Sequence, residues 1–113
     1  MPSLELSTNV RIPDKEDLMR TLSACVCRGL GKAETYMLIK VQDEQPMLFG
    51  GNADPVVHMT LRAMVFKEEA VRQLAEELTA IMHDELGVES QRVSMIFMDS
   101  DLSKWAWDGR PFA

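Results

Sequence analysis

The chain has 113 residues, 46% of them hydrophobic, which is enough for one domain around a single modest core. Twelve basic residues against eighteen acidic ones leave a net charge of −6, which argues against nucleic-acid binding as the main function. No apolar run is long enough to cross a membrane and no basic-then-apolar leader opens the chain, so neither nucleic acid nor membrane is an expected partner and the expected location is cytoplasmic.

The chain opens with Met1-Pro2 ahead of an alternating strand, Ser3-Leu4-Glu5-Leu6-Ser7. With Met1 removed, Pro2 would carry a free secondary amine. An α-amine ordinarily titrates at about 7.7–8.0, and burial or a neighbouring cation lowers that value, leaving a base at neutral pH. Taken alone, a Met-Pro start more simply reflects tolerated processing. Pro13-Asp14 then signals a helix start, and Leu18, Leu22, Val26 and Leu30, with Met19 and Cys25, form an apolar stripe that ends at Gly31. A strand is expected over Tyr36–Val41, with Met37, Ile39 and Val41 on one face and Tyr36, Leu38 and Lys40 on the other.

The same order recurs in the second half. A long extended run from Val56 through Phe66 precedes a helix with Val71, Leu74, Leu78, Ile81 and Met82 inward, then Gly87, then a strand from Arg92 to Met98. Leu30-Gly31 matches Leu86-Gly87, and at the same offset Met37, Ile39 and Val41 fall on Val93, Met95 and Phe97. Two β-α-β units follow, predicting an α/β (α+β) fold with four strands in one mixed sheet and both helices on one face. The other face, with Leu38, Met64, Ile96 and Met98 among polar residues, is of the kind that subunits bury together.

Gly50-Gly51 reads as turn geometry and not as a nucleotide-binding loop, because no strand-to-helix fingerprint surrounds it. Cys25 and Cys27 lie two apart in a helix, where their side chains diverge, and imply neither a disulfide nor a metal site. His58 and His83 lack a nucleophile or carboxylate at diagnostic spacing and read as structural. No cofactor and no metal are expected.

These residues resemble the tautomerase superfamily, in the branch of macrophage migration inhibitory factor and D-dopachrome tautomerase. The likeness spans nearly the whole chain and is carried by Met1-Pro2, Thr8-Asn9-Val10, Gly31-Lys32 followed by Tyr36, Phe49-Gly50-Gly51 with Asp54-Pro55, Arg92-Val93, and the tail with Trp107 and Phe112-Ala113. The resemblance implies a homotrimer with active sites between adjacent subunits and keto-enol tautomerisation of phenylpyruvate-like α-keto acids. It assigns Pro2 as general base and Lys32 as the substrate-carboxylate and electrostatic partner, against the plainer reading of Lys32 as a lysine near a helix end. Met64 matches an apolar residue at the pocket mouth. Arg62 is a second anion-binding candidate, with a solvated arginine as the alternative.

The departures from the family pattern matter as much. Where vertebrate members set a tyrosine and an asparagine beside the proline, this chain has Ser94 and Ile96, of which only Ser94 can donate a hydrogen bond. Tyr36, Trp105, Trp107 and Phe112 are candidates for an apolar rim, the aromatic tail having docking between subunits as its structural alternative. The vertebrate Cys-x-x-Cys segment is replaced by Val56-Val57-His58-Met59, which excludes thiol oxidoreductase chemistry there. The weakened donors leave a competing function: a non-enzymatic, cytokine-like binding or signalling protein with a protein receptor, released without a signal peptide. A third reading has the same proline hydrating, dehalogenating or decarboxylating small unsaturated acids.

Overall fold

The computed structural model describes all residues, 1–113. Strand β1 (Ser3–Thr8) leads into helix α1 (Lys15–Leu30), strand β2 (Leu38–Gln42), strand β3 (Val57–Ala63), helix α2 (Glu68–Leu86) and strand β4 (Val93–Asp99). A short pair, β5 (Ala106–Trp107) and β6 (Arg110–Pro111), closes the chain. The main sheet has the order β2-β1-β3-β4. Within each half the two strands run parallel, as a helical crossover requires, and the halves meet antiparallel through β1 and β3. This is the expected duplication, with β2 and β4 left as unpaired edges.

Local chemistry explains both helix boundaries. The Asp14 side chain accepts the Asp17 N–H at 3.1 Å, and Glu16 and Asp17 place negative charge in the first turn, where the helix dipole favours it. At the far end Gly31 takes φ 65°, which costs a residue without Cβ little. Leu18, Leu22 and Val26 of α1 and Leu74, Leu78 and Met82 of α2 then bury themselves against Leu4, Leu6, Met59 and Leu61 of the central strands. Each fully buried leucine contributes about 1.5–3 kcal/mol.

Ile39, Val93 and Met95 pack against this core from the outer strands and Met37 from just ahead of β2, as the phase of the repeat predicts. The opposite sheet face leaves Leu38, Ile96 and Met98 exposed. Three strand boundaries differ from the sequence reading. Tyr36 ends a 3-10 turn, Glu34–Tyr36, instead of starting the strand; Arg92 likewise ends a turn, Ser90–Arg92. Strand β3 stops at Ala63, short of Phe66, because the backbone leaves the ladder there to enter α2. Met64 therefore projects just beyond a strand end.

Candidate active site

Pro2 is buried at the head of β1, and its carbonyl accepts the Leu38 N–H of β2 at 3.1 Å. Beside it lies a cleft of about 80 Å³ lined by Met1, Pro2, Leu30, Lys32, Ala63, Met64 and Leu102. Three elements build it. The head of β1 supplies Pro2, the C-terminus of α1 supplies Leu30 and Lys32, and the end of β3 supplies Ala63 and Met64. Ser100 N–H donates to the Ala63 carbonyl at 2.7 Å, which extends the β3–β4 pairing and carries the segment with Leu102 to the same place.

Lys32 is held by a helix-ending motif and not by its own side chain. Gly31 N–H bonds to the Arg28 carbonyl at 3.3 Å and Lys32 N–H to the Cys27 carbonyl at 2.9 Å, the two overlapping bonds of a Schellman cap. The residue after such a glycine ordinarily turns an apolar side chain inward, and after Gly87 the internal repeat has fully buried Val88. In the first half this position is Lys32, exposed at the cleft. A charged residue where the fold itself would take an apolar one marks a site whose residue answers to something other than packing. Comparing the two halves position by position signals Lys32 without any relative.

The electrostatics agree. Burial, and secondarily the Lys32 ammonium, hold the chain-terminal amine at Met1 below the ordinary value of 8.0. The positive field of Lys32 thus already reaches the end of the chain beside Pro2. Lys32 is the only charged side chain that lines the cleft, so a bound acid would present its carboxylate to that ammonium and its apolar body to Leu30, Met64 and Leu102.

Several other candidates lie outside this cleft. Arg62 sits on the open sheet face and pairs with Glu5 at 3.8 Å, while Lys40 reaches Glu5 from the other side at 3.5 Å. Ser94 is hydrogen-bonded to His58 Nδ1 at 2.8 Å across the β3–β4 ladder, and Ile96 is half exposed on the same face. Tyr36, Trp107 and Phe112 come together in one aromatic cluster, with Tyr36 edge-on to Trp107 at 5.3 Å and to Phe112 at 6.0 Å. The tail is folded for this by the β5–β6 hairpin, whose Asp108-Gly109 corner takes positive φ at both residues. Trp105 braces the hairpin by accepting the Phe112 N–H at 2.9 Å.

The remaining residues with chemistry are committed to structure. His83 Nδ1 lies 3.2 Å from the Val88 carbonyl, and no cluster of His, Cys, Asp and Glu could hold a metal ion. Both cysteines are buried, and burial with the neighbouring Glu77 pushes the Cys25 thiol up to about 11, so it is inert at neutral pH. The largest surface depression, along α2 by Ala75, Thr79 and His83, is broad and open and does not adjoin Pro2.

The sequence profile of the macrophage migration inhibitory factor family matches residues 1–113. The chain belongs to this family. A macrophage migration inhibitory factor homolog of Brugia malayi is 31% identical over 99% of each chain, and one of Wuchereria bancrofti is 34% identical over 77% of this chain and 76% of its own. Among solved structures, the macrophage migration inhibitory factor homologue of Prochlorococcus marinus superposes with a TM-score of 0.94 at 24% identity, covering 98% of this chain and 99% of its own. The macrophage migration inhibitory factor of Trichinella spiralis superposes at 0.90, also at 24% identity, over 97% and 99%. The α+β fold of tautomerase type is that of the family.

Family membership also explains which residues carried the resemblance. Asn9 clamps the segment after β2: its Nδ2 donates to the Ala53 and Asp54 carbonyls at 2.9 and 3.1 Å, and its Oδ1 accepts the Val56 N–H at 2.9 Å. Arg92 donates to the carbonyls of Pro55, Phe49, Asn52 and Asp54 and stacks over the Phe49 ring at 5.3 Å. Gly50 and Gly51, both at positive φ, make the tight corner between Phe49 and Asn52. Most of the family-bearing motifs therefore fix a loop, and Pro2 and Lys32 stand apart from them.

Proposed function

We propose that the protein is a keto-enol tautomerase of phenylpyruvate-like α-keto acids, with the Pro2 amine as its base once Met1 has been removed. The observation that carries this reading is the coincidence of three features at one cleft: a buried Pro2 next to the chain's first residue, Lys32 as the one charged side chain, and otherwise apolar walls. Burial and Lys32 favour the neutral, proton-accepting form of an amine at this end of the chain.

In the keto-to-enol direction the Pro2 nitrogen takes a proton from C3 of the bound acid. The released electron pair forms the C2=C3 double bond, and the carbonyl pair moves to oxygen. The resulting prolinium returns its proton to that oxygen, so nothing is oxidised or reduced. Lys32 holds the carboxylate, which places C3 within reach of the amine and leaves the apolar walls to exclude water. Met64 forms the mouth of the cleft, and the aromatic group of Tyr36, Trp107 and Phe112, which stands outside it, holds the folded tail together.

Three copies complete the site in this reading. The exposed Leu38, Ile96 and Met98 and the free edges of β2 and β4 are surfaces that neighbouring copies would cover, which also brings Ser94 and Ile96 to an adjacent subunit's cleft. With Ser94 already bonded to His58 and Ile96 apolar, substrate carbonyl binding is weak in donors and turnover is modest.

Pro2→Ala, in protein whose N-terminus is confirmed by mass spectrometry, tests the assignment. Turnover of phenylpyruvate falls by at least 10²-fold, the usual lower bound for a positioned general base, while sedimentation still shows the trimer. Turnover equal to wild type removes Pro2 from the mechanism. Ligand binding with no turnover in the wild type would favour the cytokine-like alternative.

A further inference from the structure

Leu102 lines the cleft from a segment in which the sequence offers no catalytic motif. The segment is a 3-10 turn, Leu102–Lys104, stiffened from within. Asp101 Oδ1 accepts both the Ser103 N–H at 2.9 Å and the Ser103 hydroxyl at 2.8 Å. Lys104 N–H donates to the Asp101 carbonyl at 2.9 Å, and Trp105 N–H to the Leu102 carbonyl at 3.2 Å. Both ends of the turn are anchored as well, through Ser100 to Ala63 at the end of β3 and through Trp105 to Phe112 in the terminal hairpin. A half-buried leucine on so braced a turn is a fixed wall and not a mobile side chain on a loose loop.

The geometry points to Leu102 as the residue that sets how large an apolar group of a monoanionic acid the Pro2 cleft accepts. This rests on the reading of the cleft as the acid-binding site. The cleft is small, about 80 Å³, and Lys32 is its one charged side chain, so a ligand's carboxylate finds the same partner whatever its body. Discrimination between acids then falls to the apolar walls. Of these, Leu30 belongs to the end of α1 and Ala63 to β3, both bound to the core. Met64 is exposed at the mouth, which leaves Leu102 as the half-buried wall that can change without disturbing a helix or the sheet.

Cinnamate and crotonate separate body from carboxylate, because the two unreactive acids share the carboxylate and the double bond and differ in phenyl against methyl. Their dissociation constants are measured by calorimetry on protein beginning at Pro2, for wild type, Leu102→Ala, Leu102→Trp and the volume-conserving Leu102→Met, each checked for native helix content. Leu102→Ala widens the cleft and Leu102→Trp fills it. The first raises the cinnamate-to-crotonate preference and the second lowers it, each on the order of 10-fold, while Leu102→Met keeps it. A preference that neither Ala nor Trp moves, or a wild type that binds neither acid, overturns the assignment. Turnover is read separately. A preference that shifts in a protein without tautomerase activity keeps Leu102 and discards the proposed reaction; an active enzyme with an unmoved preference does the reverse.

Discussion

Gly29 faces Leu74 where α1 crosses α2, and an added Cβ would stand 2.7 Å from Leu74 Cδ2 and 3.1 Å from Cγ. Two effects of Gly29→Ala oppose each other. Alanine in a helix interior is favoured over glycine by about 0.8–1.0 kcal/mol, whereas overpacking a filled core costs about 1–3 kcal/mol. Leu74 is wholly buried, so its side chain can give way only by pushing on packed neighbours, and the clash outweighs the helix gain by about 1 kcal/mol. Leu74→Ala alone should cost about 2–5 kcal/mol, but it removes the clashing atoms. In that background Gly29→Ala becomes stabilising, by up to about 1 kcal/mol. Urea unfolding at matched protein concentration measures the four proteins of this cycle. The crossing also positions the site, because the next residues are Leu30, Gly31 and Lys32. Gly29→Ala should therefore weaken carboxylate binding as well. A single mutant more stable than wild type, or no change of sign between the two backgrounds, would refute the packing argument.

Lys32→Met leaves the amine less depressed, so the acidic limb of kcat/KM for phenylpyruvate moves to higher pH and KM for the anionic acid rises; a pH–rate profile unchanged in both respects would assign Lys32 to the helix end alone. Arg92→Ala removes four hydrogen bonds to the carbonyls of Phe49, Asn52, Asp54 and Pro55 and destabilises the protein by about 2 kcal/mol, discounted for partial exposure. Amide exchange checks it, since protection should fall first around residues 49–56 and not in α1.

The repeat made the fold legible. Alternation fixed the faces of β2 and β4, and the αL glycines after each helix, Gly31 and Gly87, fixed the register between the halves. The strand-to-turn changes at Tyr36 and Arg92 were not readable, because a three-residue 3-10 turn has no periodicity of its own and is set by the cap bonds Met37 N–H to Glu34 and Arg92 N–H to Glu89. At the site, Pro2, Lys32 and Met64 were legible through resemblance, and the structure brings them to one cleft. Arg62 lies instead on the open face beside Glu5, a pairing made across strands that spacing along the chain does not reveal. Leu30, legible only as part of the α1 stripe, and Leu102 do not read as cleft residues for the opposite reason. Both are apolar residues in segments where apolar residues are ordinary, and only the meeting of the end of α1 with the segment after β4 gives them a role.

If catalysis uses a free prolyl amine, as proposed, Met1 controls it directly. A peptide bond from Met1 makes the Pro2 nitrogen an amide, which is no base at neutral pH, yet changes nothing in the sheet or in the helix packing. Phenylpyruvate turnover is measured side by side for a preparation that retains Met1 and one that begins at Pro2, each verified by mass spectrometry and shown to have the same sedimentation coefficient. Activity is expected only in the preparation that begins at Pro2. Equal turnover in the two would contradict it.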